Sequence, residues 1–120
     1  MSKRDVSVVD LVVPAITLSG TLYTDVYSLR RLSGRGAVIL TTSAGSITMN
    51  QQVSHNGETF YDAYDVSGAL LGKICENQAV VTNRYIVFDP VFAKYMRFKI
   101  VEQGVGATTV TIKLLTGEEL

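Results

Sequence analysis

The sequence predicts an all-β protein, an antiparallel β-sandwich of jelly-roll type with eight to ten short strands. Val, Ile and Thr make up 35 of the 120 residues, and these β-branched side chains favour pleated, half-buried surfaces over helices. Short apolar runs follow one another between turn signals, and no stretch shows a sustained helical period. The hydrophobic content of 47% indicates one packed core, so we expect residues 1–120 to form a single domain.

The N-terminal quarter predicts two or three short strands and a loop. Val6 to Val13 is the first apolar run, and Pro14 ends it or places it at a sheet edge. Residues 1–13 are therefore either the first strand of the sandwich or a terminal arm. Ala15 to Ser19 and the alternating segment Thr21 to Tyr27 follow, and the polar stretch Arg30 to Gly36 is typical of an exposed loop.

The next strands are separated by glycine-containing turns. Ala37 to Thr42 and Ser46 to Val53 flank a tight connection at Ser43 to Gly45, which predicts a hairpin. Within the second of these strands, Ile47 and Met49 share one face, a pattern with period two.

The middle of the chain predicts further short strands. Asn56-Gly57 is a strong turn signal and introduces Glu58 to Tyr64. Ala69 to Cys75 follows. Ala79 to Thr82 and Tyr85 to Phe88 are two strands, or one strand with a bulge between them.

The C-terminal third carries the clearest alternation. Val91 to Lys94 predicts a single helical turn. Apolar side chains then recur at every second residue from Met96 to Ile100 and from Thr108 to Leu114. The glycine-containing segment Gln103 to Ala107 lies between these two runs and predicts a hairpin that pairs them.

The charge balance argues against nucleic acid and membrane partners. Lys and Arg together number 11, as do Asp and Glu, so the formal net charge is zero. A protein held by phosphate contacts usually carries a basic excess. No apolar run approaches the length of a membrane span, and the polar start with Asp10 inside the first apolar run predicts synthesis in the cytosol without a signal peptide. Near-zero net charge gives little protection against self-association.

The sequence predicts no enzyme, cofactor or metal site. Cys75 and His55 are the only residues of their types, and a lone Cys is most often a small buried hydrophobe. The G-x-G matches at 34–36 and 104–106 lack a third glycine before a helix. Asp62 and Asp65 are the nearest approach to a calcium site, but the EF-hand spacing is absent.

Tyrosines and arginines supply candidate contact residues. Tyr23 and Tyr27 lie in the alternating segment, and exposed aromatics can stack on sugars or anchor a protein interface. The ordinary alternative is that tyrosines sit in the core or at its rim. Arg30, Arg31 and Arg35 form a basic cluster that is either simply solvated or pairs with a neighbour in an assembly.

Two segments resemble small β-sandwich proteins of tailed bacteriophage virions. They are Ser19 to Val26, and Tyr95 to Ile100 followed by Gly104 and Ala107 to Ile112. Jelly-roll capsid decoration, or cement, proteins are similar in size. The resemblance implies a structural protein on the capsid surface of a virion that binds the major capsid protein, reinforces contacts between capsomers and forms a homo-oligomer, with a trimer fitting a symmetry axis.

The first apolar run is the segment predicted to dock on a neighbour, by strand addition or as an arm; its ordinary alternative is a first strand. The alternative function is a carbohydrate-binding or host-binding module of a tail fibre or spike, which requires an exposed aromatic groove. The candidate interface residues are Val6, Val8, Val9, Leu11, Val12, Arg30, Arg31, Arg35, Tyr23 and Tyr27.

Overall fold

The computed structural model describes residues 4–29 and 32–119, with side chains for 8–29 and 36–117. The described residues form ten strands and no helix. The strands are β1 (Arg4–Leu11), β2 (Thr21–Tyr23), β3 (Tyr27–Ser28), β4 (Leu32–Thr42), β5 (Ile47–Ser54), β6 (Tyr61–Asp62), β7 (Lys73–Gln78), β8 (Arg84–Phe88), β9 (Tyr95–Glu102) and β10 (Val110–Glu119).

The strands form two antiparallel sheets. Sheet I has the order β1-β10-β4-β8. Sheet II has the order β2-β9-β5-β6, and in addition β3 pairs with β9 and β7 pairs with β5. Because β2 and β3 lie along successive parts of β9, and β6 and β7 along successive parts of β5, each sheet has four strand positions.

This strand order is that of a jelly roll. In sheet I the first strand pairs with the last, β4 lies beside β10, and β8 lies beside β4. In sheet II the strand positions follow the equivalent order, β2/β3, β9, β5 and β6/β7. Two Greek keys wound in this way define the jelly-roll sandwich. The predicted fold class is therefore confirmed.

The core lies between the two sheets and is built by alternation. In β9, Met96, Phe98 and Ile100 are fully buried, and from the other sheet Ile112 and Leu114 of β10 meet them. The burial of β9 alternates strictly along its eight residues, as the period-two pattern predicted. Buried apolar area of this kind is the main stabilising contribution to such a domain.

The two predicted hairpins, between residues 37–42 and 46–53 and between residues 96–100 and 108–114, are wrong. β9 lies in sheet II and β10 in sheet I, and the same is true of β5 and β4, so residues 103–109 and 43–46 cross from one sheet to the other. Alternation tells which face of a strand is apolar. Two such strands can bury their faces by pairing side by side or by facing each other across a sandwich, and here they face each other.

The predicted loop at Arg30 to Gly36 is also wrong from Leu32 onward. Strand β4 begins at Leu32 because the long β10 provides partners for it, with Thr116 opposite Gly36 and, beyond a bulge, Glu118 opposite Leu32. Arg30 and Arg31 lie outside the described residues.

Three other segments differ from the prediction. Within 15–19 only Ile16 forms a bridge, to Thr108. Residues 79–82 form no strand, and Asn83 adopts a positive φ of 47° before β8 begins. Residues 91–94 form bends rather than a helical turn, because their backbone groups bond to neighbouring elements, as in the hydrogen bond from the Val91 N–H to Gln51 Oε1 (2.9 Å).

Glu102, at the end of β9, joins three loops. Its side chain is 1% exposed and accepts hydrogen bonds from the backbone N–H groups of Ser19 (2.9 Å), Ser46 (3.1 Å), Gly104 (2.7 Å), Val105 and Gly106. These bonds, first that from Ser19, lower the pKa of the carboxyl to about 2. The ionised carboxylate is therefore the form that the fold requires.

Replacing Phe98 by Ala should lower the free energy of unfolding by about 3–5 kcal/mol, because Phe98 is fully buried and its loss leaves a cavity. Phe92→Ala is the matched control, since Phe92 is 100% exposed, and it should change stability by less than about 0.5 kcal/mol. Urea unfolding followed by circular dichroism measures both values. Equal losses for the two variants would contradict this packing.

Glu102→Gln should destabilise the protein at pH 7, because the amide carries no charge and its NH2 group faces amide donors. The carboxyl has an ordinary pKa of 4.5 and a folded pKa of about 2, so its stabilisation is complete above pH 4.5 and is lost as the pH falls through 2. The difference between wild type and variant should therefore shrink over that window. Urea midpoints at several pH values measure it, with exposed Glu76→Gln as control. A constant difference would refute this role.

Candidate functional site

An apolar row crosses the outer surface of sheet I. Val8 of β1 pairs with Leu115 of β10, Leu115 with Ala37 of β4, and Ala37 with Val87 of the edge strand β8. Paired residues of adjacent strands lie on the same face, so these four side chains form one line across the sheet. Val8 is 58% exposed and Val87 is 64% exposed.

The neighbouring row adds two more apolar side chains. It runs Asp10, Lys113, Ile39, Tyr85 across the same four strands, and Tyr85 is exposed. Asp10 and Lys113 approach to 3.8 Å and form an exposed ion pair. Ala37 is buried, with 5% of its surface exposed. We call the exposed and partly exposed apolar side chains of the two rows the apolar face; they are Val8, Leu115, Val87, Ile39 and Tyr85.

The apolar face departs from the usual design of a sandwich. The outer surface of an antiparallel sheet is normally polar, which gives clean alternation along each strand. In β4 the run Ala37-Val38-Ile39-Leu40 is apolar on both faces, and Val38 and Leu40 are the residues that fill the core. Of the two outward residues of this run, Ile39 is partly exposed and Ala37 is buried.

Sheet II has an outer surface of different chemistry. The guanidinium carbon of Arg97, on β9, lies 3.9 Å from the ring centre of Tyr23 and 4.3 Å from that of Phe60. Its Nε donates to Gln52 Oε1 at 2.9 Å. We call Arg97, Tyr23 and Phe60 the aromatic clamp. Stacking and a hydrogen bond fix this long side chain, which would otherwise move freely in solvent.

A polar network supports the clamp. Gln52 Nε2 donates to Asp62 Oδ1 at 3.0 Å, and Asn50 Nδ2 donates to the same oxygen at 3.1 Å. The hydrogen bond from Gln52 is the largest of the causes that hold the pKa of Asp62 below its ordinary value, and the charge of Lys99 acts in the same direction. Asp62 is thus ionised at neutral pH, and Gln52 links it to Arg97.

The pair Cys75 and His55 is not brought together. Cys75 lies opposite Met49, whereas His55 follows the end of β5, about 20 Å farther along at 3.3 Å per residue. Burial raises the pKa of the Cys75 thiol to about 11, and its Sγ lies 3.8 Å from the carbonyl of Ile47. His55 stacks on Tyr61 with ring centres 6.5 Å apart and lines a groove of about 670 Å³.

The predicted interface residues divide among core and surface. Val12, like Val8, is exposed. Leu11 is buried and Val9 packs against the core, so these two stabilise β1 as a first strand and are not available to a partner. Val6 and Arg35 lie in β1 and β4 with undescribed side chains, and Arg30 and Arg31 lie outside the described residues.

The two tyrosines also differ in their roles. Tyr23 is 43% exposed and forms part of the aromatic clamp. Tyr27 is half-buried against the core, and its hydroxyl lies 3.2 Å from Thr116 Oγ1, which connects the two sheets. Tyr27 therefore has a packing role.

The sequence reasoning missed Leu115, Val87 and Arg97. A signal existed for the first two, because apolar runs that do not alternate indicate a strand with two apolar faces. No comparable signal existed for Arg97, since its partners Tyr23 and Phe60 come from distant parts of the chain.

Within 4–29 and 32–119, no group of three or more His, Cys, Asp or Glu side chains could hold a metal ion. The same residues contain no helix that is long and apolar enough to cross a membrane.

Comparison with known proteins identifies the fold. No family model and no curated protein matches the chain. It is similar to the crystal structure of the SPBc2 prophage-derived protein YomS, with 14% identity over 98% of this chain and 96% of that chain and a TM-score of 0.57. A structure of infectious bursal disease virus, Gx strain, matches with 8% identity over 97% of this chain and 32% of that chain, and a TM-score of 0.48. At these identities the first likeness shows a shared β-sandwich fold.

Cys75 should react slowly with a disulfide reagent such as dithionitrobenzoate at pH 8. A thiol with a pKa of about 11 carries roughly a hundredfold less thiolate at that pH than a free cysteine. The rate should rise with pH until above pH 10, and unfolding in guanidinium should restore fast reaction. Reaction of the folded protein at the rate of a free cysteine would show that the thiol is activated.

Proposed function

We propose that this protein is a structural subunit of a virion that binds the outer surface of the capsid shell and reinforces contacts between its subunits. The observation that carries the proposal is the apolar face of sheet I. Five such side chains on an outward sheet surface add nothing to the core, whereas a subunit that is permanently seated on another protein gains from their burial.

The size of the apolar face suits a contact that needs an assembled partner. One outward position covers about 33 Å², from strands about 4.8 Å apart and same-face residues about 6.8 Å apart, so five positions cover on the order of 160 Å². Their burial contributes about 4 kcal/mol at 25 cal/mol per Å², before the cost of association. A single contact of this size is weak. Binding becomes strong where an assembled shell supplies further contacts around it.

Reinforcement follows from linkage. A subunit that binds only the assembled shell stabilises that state by mass action, because opening the shell must also break the added contacts. The partner in this proposal is the major capsid protein, and the chain acts without catalytic activity. A homo-oligomer, a trimer where the shell has a threefold axis, would place several apolar faces on one junction.

Two further points support a place on a virion. The sandwich fold is shared with a prophage-derived protein. The described surface also separates an apolar outer face on sheet I from a polar one on sheet II, which gives the subunit an inward and an outward side. With the apolar face on the shell, the aromatic clamp points away from it.

The test is binding of purified protein to particles that lack it, measured by co-sedimentation. Val87→Glu places a charge in the apolar face and should weaken binding at least about tenfold, because a charge buried in an apolar contact is costly. Val105→Glu is the matched control, since Val105 is exposed in the β9–β10 connection, and it should bind as wild type does. Sedimentation velocity of both variants alone gives their oligomeric state.

Equal binding by both variants would refute the apolar face as the docking surface. If Val87→Glu converted a homodimer into monomers that still bound particles, the apolar face would join two copies of the chain. The proposal would then also be wrong. Copy number from quantitative mass spectrometry of native particles adds an independent check. A number comparable with that of the shell protein, or a simple fraction of it, supports reinforcement.

A further inference from the structure

We infer that the outer surface of sheet II is a binding site for an acidic saccharide, in which Arg97 binds the carboxylate or phosphate of the sugar. This inference goes beyond a role in reinforcement and concerns the opposite side of the sandwich. It rests on the geometry of the aromatic clamp and on the charges around it.

The guanidinium group of Arg97 is held in a fixed orientation. The guanidinium carbon lies 3.9 Å from the ring centre of Tyr23 and 4.3 Å from that of Phe60, and Nε donates to Gln52 Oε1. The two terminal nitrogens have no hydrogen-bond acceptor among the described residues. Four N–H donors on a fixed planar edge match the two oxygens of a carboxylate or phosphate. Because the side chain is already ordered, binding loses little further entropy.

The second step is the charge of the site. The ion pairs among the described residues are Lys73–Glu76 and Lys113–Asp10, so Arg97 has no carboxylate partner there. Lys99 lies two residues farther along β9 and thus on the same outer surface. Two cations therefore face a single described carboxylate of the network, Asp62, and the site attracts an anion.

The third step distinguishes a sugar from other anions. Asp62 accepts both of its hydrogen bonds through Oδ1, which leaves Oδ2 for a hydroxyl donor. Asp62 and Arg97 both hydrogen-bond to the side-chain amide of Gln52, so they lie close together. This arrangement suits a ligand that carries an anionic group for Arg97 and hydroxyls for Asp62. Tyr23, 43% exposed, offers a ring edge and a hydroxyl to the sugar ring. A polyphosphate or DNA backbone carries no alcohol hydroxyl to donate to Asp62 Oδ2, whereas each ring of an acidic saccharide carries several.

The experiment titrates the protein with trigalacturonic acid at low salt and follows the Nε–Hε signal of Arg97 by NMR, with calorimetry for the affinity. We expect saturable binding that shifts this signal and weakens as salt is added. The methyl-esterified trisaccharide, which lacks the charge, should bind at least about tenfold more weakly, in line with a charge-assisted bidentate hydrogen bond. Glucose 6-phosphate tests phosphate as the anionic group.

Variants separate binding from structure. Arg97→Gln should weaken binding of trigalacturonic acid at least about tenfold, and Arg97→Lys should also weaken it, because Lys keeps the charge but not the fork. Arg84→Gln is the matched control, since Arg84 is exposed on β8 of sheet I. Tyr23→Ala removes one ring of the aromatic clamp. It replaces Arg97→Gln as the test variant if Arg97→Gln fails to fold, which thermal unfolding measures.

Three results would overturn the inference. They are no saturable binding of any acidic sugar, equal binding by Arg97→Gln and wild type, or stronger binding of a triglutamate peptide than of the trisaccharide. None of them bears on particle binding, which uses the opposite sheet. Likewise, Val87→Glu should bind the trisaccharide as wild type does, so the two proposals succeed or fail separately.

Discussion

The fold depends on one buried charge. The Glu102 carboxylate accepts five backbone hydrogen bonds from the β1–β2, β4–β5 and β9–β10 connections, and each of these connections carries the chain from one sheet to the other. Together the hydrogen bonds offset the cost of burying the charge, as its low pKa shows. A single side chain thus holds three crossings of the jelly roll at one end of the sandwich.

The closeness of these loops constrains the sequence around the carboxylate. Gly45 has a φ of 69°, and a Cβ there would lie 2.4 Å from the carbonyl oxygen of Gly106. Glycine is therefore required where the β4–β5 and β9–β10 connections meet. With the crossings fixed in this way, the registers of β4 and β10 are fixed too. A row of aligned side chains across four strands depends on that register, because a slip of one residue would turn it inward.

The sequence predicted the apolar faces of the strands but not their neighbours. Alternation in β9 correctly marked Met96, Phe98 and Ile100 as core, because period two follows directly from strand geometry. The hairpin between β9 and β10 was wrong, since the same alternation fits pairing within one sheet and packing between two. Tyr23 was singled out as a candidate contact residue, and the structure places it, partly exposed, beside Arg97. Its partner Arg97 could not be, because their contact depends on the pairing of β2 with β9.

The two outer surfaces of the sandwich differ in chemistry. Sheet I exposes Val8 and Val87 at opposite edges of one row, and exposed apolar area lowers solubility unless a partner covers it. Polar and aromatic groups of sheet II hold the guanidinium of Arg97 in place. No carboxylate among the described residues forms an ion pair with it. A charge held in place is costly beneath a protein contact and useful in water. In the proposed function the apolar side therefore faces the shell, and the charged side faces solvent.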